Sequence, residues 1–141
     1  MAFTYKHAVH YYETDKMGIV HHSNYIRFFE ESRTAFFEAK GLSYKTIEDM
    51  GLIVPVLGVE CEYKSTTTYG DLLLISPRLE VFNGLKFTFS YTVSSEDGKT
   101  IYAVGKTTHC FLNADFKPTL VKKTHPLIYE HMLNLLEAQN N

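Results

Sequence analysis

A change of hydrophobic period constrains this chain more than any other feature. Tyr25, Phe28, Phe29, Ser32 and Phe36 fall at i, i+3, i+4, i+7 and i+11, one face of an amphipathic helix. Ala35 and Phe37 widen that face, so the helix needs cover on more than one side. Beyond residue 56 the period drops to two. Leu57, Val59, Cys61 and Tyr63 alternate with polar residues, and Phe87, Phe89, Tyr91 and Val93 do so again. The runs Leu72–Phe82 and Thr100–Leu112 also read as strands, and Pro77 within the first predicts an edge position or a bulge. Asn83-Gly84 and Asp97-Gly98 mark tight turns between strands.

The helix spans about residues 23–40, with Ser23 or Asn24 as its cap and Gly41 closing it in a left-handed turn. Glu30 and Arg33 are spaced to pair on its surface. Ser43 caps a short second helix that ends at Gly51. Thr124-His-Pro126 starts a terminal helix with Ile128, Met132 and Leu135 along one line. A first strand covers about residues 3–12. One long helix beside an antiparallel meander has an economical solution: an α+β fold in which a curved sheet of four or five strands wraps the helix.

Composition bounds the rest. The chain has 141 residues, 45% hydrophobic and 21% charged, which predicts one domain over residues 1–141 with a core of its own. The net charge of -2 and scattered basic residues argue against nucleic acid as a partner. Cys61 and Cys110 are the only cysteines, with no CxxC, and read as small buried hydrophobes of a reducing compartment. No leader-like or membrane-spanning apolar run is apparent, and the expected location is cytoplasmic.

The chemistry concentrates between the first strand and the long helix, in Tyr11-Tyr-Glu-Thr-Asp-Lys-Met-Gly-Ile-Val-His-His-Ser-Asn-Tyr25. Gly18 suits a sharp bend. Asp15 can attack a carbonyl or activate water, His22 can handle a proton near neutral pH, and the first N–H groups of the helix can polarise an oxyanion. Each has a plainer reading: Asp15 as a turn former, His22 as a polar helix-start residue, His21 as exposed or structural. The seven histidines show no ligand-pair spacing, so no metal is expected; His109, mid-strand, reads as a bonded core or interface residue. No Gly-x-Ser-x-Gly elbow supports a serine hydrolase.

The pattern Tyr12-Glu-Thr-Asp15-x-x-Gly18-x-Val-x-His22-x-x-Tyr25, with Glu30-x-x-Arg33 in the helix after it, resembles the signature of hot-dog-fold acyl-CoA thioesterases. It is most similar to the 4-hydroxybenzoyl-CoA thioesterase type and its Tol–Pal-linked members. The departure is Glu13 where many relatives carry Asp. The resemblance implies that Asp15 is the catalytic carboxylate, that His22 matches a histidine found in one subset, and that Tyr25 matches an aromatic residue at the helix start. It implies an acyl-CoA or acyl-carrier substrate, no cofactor beyond the coenzyme A of substrate and product, and a homodimer or homotetramer with the site at the subunit interface. Candidate substrate contacts are Tyr25, Phe28, Phe29, Val56 and Phe89 for the acyl group, and Lys64, Arg78, Lys86 and Lys106 for the phosphates. The alternatives are another acyl-thioester enzyme, a hydratase or dehydratase, and a non-catalytic acyl-thioester-binding module.

Overall fold

A computed structural model of the chain describes residues 2–139. Strand β1 (Tyr5–Ala8) leads through a 3-10 turn at Tyr11–Glu13 to the long helix α1 (Ser23–Ala39). A short helix α2 (Tyr44–Asp49) follows. Then come β2 (Val56–Tyr63), β3 (Leu72–Phe82), β4 (Lys86–Ser95) and β5 (Ile101–Cys110), and the helices α3 (Val121–Thr124) and α4 (Pro126–Gln139). The strands form one five-stranded sheet in the order β1-β3-β4-β5-β2. β1 runs antiparallel to β3, with Tyr5 opposite Ile75 and Ala8 opposite Leu72.

Local signals act where the spacing predicts. Ser43 Oγ accepts the Thr46 N–H at 3.1 Å and caps α2. Asn83 Oδ1 accepts from Leu85 N and Lys86 N at 2.9 and 2.7 Å, closing the β3–β4 turn. Pro126 opens α4, and Ile128, Met132 and Leu135 are its buried line. Three expectations change. The first strand is shorter than 3–12, because the chain leaves β1 after Ala8 and coils into the 3-10 turn. Pro77 lies inside the sheet order rather than on an edge strand, but β1 pairs only with Leu72–Ile75 and supplies no ladder partner for Pro77. Neither Ser23 nor Asn24 caps α1 with its side chain: Asn24 Nδ2 instead donates to Glu13 O at 2.9 Å.

Contacts group the residues into two compact units. The first holds the described residues up to 36 together with 60–77 and 91–105. Here Phe28 packs on His7 with ring centroids 4.6 Å apart, and Phe29 stacks on Tyr91 at 4.4 Å. Gly105 lies flat under Phe29: a Cβ there would meet the ring at 2.5 Å and Glu60 O at 2.6 Å. Arg33 is buried and donates from Nη1 to Tyr91 Oη at 2.8 Å, while Glu30 stays exposed. The second unit holds residues 37–59 and 78–90 and the described residues from 106 onward. Phe37, Phe87, Phe89 and Phe111 form its aromatic core. His109, fully buried, stacks on Phe87 and is bonded to Thr107 Oγ1 and Pro55 O.

Candidate active site

The loop between β1 and α1 is a short hairpin-like turn. Asp15 N–H donates to Ile19 O, Gly18 N–H donates to Asp15 O, and Gly18 takes φ +79°, where a side chain would be strained. The loop rests on the segment before β3. Val20 N–H donates to Thr67 O at 2.9 Å, and Thr68 Oγ1 donates to Gly18 O at 2.8 Å. Asp71 Oδ2 holds that segment through Thr67 Oγ1 and Thr68 N–H.

Asp15 is half-buried. Its Oδ1 accepts the Met17 N–H at 2.8 Å, the turn-forming role that its residue type favours. Among the described residues nothing bonds Oδ2, which leaves one carboxylate oxygen for chemistry. His22 is exposed. Its ring sits 4.1 Å from that of His21 and 6.4 Å from that of Tyr63, centroid to centroid. No hydrogen bond or ion pair joins Asp15 to His22 among the described residues, so they share a loop without forming a dyad.

The helix start is less open than its dipole suggests. Ser23 N–H donates to His21 Nδ1, Asn24 N–H to His21 O, and Tyr25 N–H to His22 O. Because a backbone N–H must donate, His21 Nδ1 is an acceptor there, which gives His21 the structural role expected of it. The N–H that no described residue accepts is that of His22 itself. The N–H left without an acceptor among the described residues is thus at the position just before the helix rather than in its first turn.

The candidate substrate residues divide. Asp15, His22, Tyr25, Phe29 and Lys64 fall in the first unit, and Val56 and Lys86 in the second. Tyr25, Phe28, Phe29 and Phe89 are buried core side chains, closed to a ligand in the single chain. Lys64 is exposed beside Glu62 at 3.3 Å, and Lys86, Arg78 and Lys106 are also exposed. Burial pushes the Tyr25 hydroxyl up to about 12 and raises both Cys61 and Cys110 above the usual thiol range, so no thiolate stands ready at neutral pH.

Two features carried no sequence signal. Tyr63 Oη donates to His22 O at 3.0 Å, tying β2 to the loop end. Glu13 is buried and paired with His7 Nε2 at 2.8 Å. With His10 they form the group of metal-ligating side chains among the described residues, donor atoms within 4.8 Å of one another. Glu13 Oε1 and His7 Nε2 are already bonded to each other, and the His10 ring stacks on Tyr12.

Residues 9–126 match the model of the thioesterase-like superfamily. An Aquifex aeolicus protein bearing an esterase name is 46% identical over 112 residues, 79% of this chain and 86% of its own. The crystal structure of an Aquifex aeolicus protein of unstated activity superposes with a TM-score of 0.84 at 40% identity, covering 92% of this chain and 98% of that one. That of a DHNA-CoA thioesterase from Staphylococcus aureus gives 0.89 at 28% identity, covering 97% and 92%.

Proposed function

The chain belongs to the thioesterase-like superfamily and has its hot-dog α+β fold, and from that premise we propose that it is an acyl-CoA thioesterase in which Asp15 drives hydrolysis. One observation carries the reading: the β1–α1 loop presents an Asp15 oxygen and a His22 N–H that no described residue bonds. The N–H polarises the thioester carbonyl and takes the charge that develops on its oxygen. Asp15 then acts in one of two ways. As nucleophile its Oδ2 bonds to the carbonyl carbon, expels the CoA thiolate and leaves an anhydride that water cleaves. As general base it takes a proton from the water that attacks. The His22 imidazole serves as proton carrier for that water or for the departing thiolate.

The finer placement, in the 4-hydroxybenzoyl-CoA thioesterase type and its Tol–Pal-linked members, rests on the Asp15-x-x-Gly18-x-x-x-His22 pattern. A named acyl-CoA thioesterase from Haemophilus influenzae is 27% identical over 88 residues, in keeping with an acyl-CoA substrate. Lys64 and Lys86 are our candidates for the phosphates of CoA, and Val56 for the rim of the acyl slot. The active form we propose is a homodimer, or a homotetramer built from it, in the cytoplasm. The apolar side chains of edge strand β2 support pairing, with Val56 47%, Leu57 51%, Val59 40% and Tyr63 48% exposed. Light scattering on the active species checks this, and an active monomer overturns it.

The test of the chemistry is a thiol-release assay over short, long and aromatic acyl-CoAs, wild type beside Asp15→Asn. The variant keeps its circular dichroism and loses about 10²- to 10⁴-fold in kcat. Full activity in Asp15→Asn overturns the mechanism. Hydration of an enoyl-CoA without thiol release overturns the hydrolase reading altogether. A single turnover in ¹⁸O-water tests the nucleophilic role: label in the Asp15 carboxylate, from water attack on its carbonyl carbon in the anhydride, arises by that route and not by general-base hydrolysis.

A further inference from the structure

Glu13 is the most heavily bonded residue near the loop, and the chemistry above makes no use of it. Its side chain faces back along the chain: Oε1 accepts from His7 Nε2 at 2.8 Å and from His10 N–H at 2.7 Å. His7 is itself held, with Nδ1 3.6 Å from Glu31 Oε2 and its ring against Phe28. The main-chain oxygen of Glu13 faces forward across the loop. It accepts from His21 N–H at 2.8 Å and from Asn24 Nδ2 at 2.9 Å. One residue therefore joins β1, both arms of the loop and the first turn of α1. Asp15 is two residues along one arm, and His22 is the neighbour of His21 on the other. His7, Glu13 and Asn24 are all buried, at 8%, 5% and 6% exposure, so water does not compete for these bonds.

We propose that Glu13 and Asn24 are positioning residues that set the distance between the Asp15 carboxylate and the His22 N–H. The proposal rests on the thioesterase reading. Its physical basis is that Asp15 and His22 share no bond of their own among the described residues, so their separation is set by the bonds that hold the loop backbone between them. That backbone is crossed twice: Asp15 N–H to Ile19 O closes the tip, and the paired bonds to Glu13 O close the base, between the arm that leads to Asp15 and the arm that ends at His22. The His7–Glu13 side-chain pair holds the base to β1. A buried polar pair of this kind is a weak source of net stability, because the cost of taking both groups out of water offsets most of what their bond contributes. Fixing a geometry is the better-supported use of it.

The experiment compares Glu13→Ala, Glu13→Gln and Asn24→Ala with wild type in the thiol-release assay, at a temperature well below each variant's melting point. Glu13→Ala is expected to lower kcat by about 10- to 100-fold with little change in KM, since misplacement by about 1 Å costs that much in rate. Asn24→Ala leaves the His21 bond to Glu13 O in place and loses less, again in kcat. Glu13→Gln keeps an acceptor for His10 N–H and restores most of the rate. In the Asp15→Asn background, Glu13→Ala has no further effect on kcat, because there is no reacting carboxylate left to misplace. If Glu13→Ala does not fold, Asn24→Ala and Glu13→Gln carry the test. Melting temperatures that fall while kcat stays at the wild-type value in both alanine variants overturn the proposal, as does an additive loss in the Asp15→Asn background. An active Asp15→Asn protein overturns the underlying mechanism instead, so the two failures are told apart.

Discussion

The two units hold themselves together by different means. In the second, Phe37, Phe87, Phe89 and Phe111 pack edge-to-face and tilted against one another, and even His109 enters as a ring stacked on Phe87. In the first, the aromatic layer of Phe28, Phe29 and Tyr91 is threaded with polar links: His7 to Glu13, Arg33 to Tyr91, Asn24 to Glu13 O, Tyr63 to His22 O. Dispersion and burial are non-directional and place a side chain only as well as its neighbours fill space. Hydrogen bonds have a preferred length and angle and so place a particular atom. The unit that carries Asp15 and His22 threads such bonds through its aromatic layer, whereas in the aromatic core of the second the bonded ring is His109, to Thr107 Oγ1 and Pro55 O. Aromatic packing alone gives stability, and the added network gives position.

That contrast predicts separable losses. The largest expected effect on stability is in the second unit. Phe89→Ala should cost about 3–5 kcal/mol by urea unfolding, while the folded fraction keeps its kcat. A kcat that falls with stability would break the division of labour.

Next comes a pair of glycines. Gly105→Ala drives a methyl into the Phe29 ring and Glu60 O, and should cost about 1–3 kcal/mol. Gly58→Ala meets Thr108 Oγ1 at 3.0 Å, an atom that can turn away, and should cost less. Thermal melts of the two variants side by side give the order; an equal cost would mean that α1 yields to the methyl as readily as a threonine rotamer does.

The smallest effect is alkaline. The Tyr25 hydroxyl, pushed up to about 12 by burial and secondarily by Cys61, favours the folded state while it stays protonated. Because the folded value lies above the ordinary 10.0, that stability is complete below about pH 10 and is lost as pH rises toward 12. Tyr25→Phe should flatten the stability profile between those limits in urea melts taken at several pH values. An unchanged slope would show that the hydroxyl is not responsible.

The elements were legible because their signals are local. The period of 3.6 delivered α1 to within a residue at its end, Gly41 turns at φ +81° and Asn83-Gly84 closes its hairpin. All depend on neighbours within a few positions. The loop was legible for the same reason: Asp15, Gly18 and His22 lie within eight residues, and the Asp15 turn bond reaches only to Met17. Alternation also marked β2 as a strand, but not that its apolar residues would lie uncovered at the end of the sheet. Period reports which residues share a face, and only strand order decides what that face meets.

What the sequence alone determined, then, is the element list, the turn chemistry and the stretch where a carboxylate and a histidine share a loop. Tertiary structure decided the rest. It sent Arg33 to Tyr91, 58 positions away, and closed Tyr25 and Phe29 into the core. It spent the first N–H groups of α1 on His21 and His22, and left the His22 N–H without an acceptor among the described residues. It also made a connecting node of Glu13, which by sequence is only a substitution for Asp. Spacing fixes what a residue can reach along the chain. Burial and partner choice come from segments distant in sequence, and those exist only once the chain has folded.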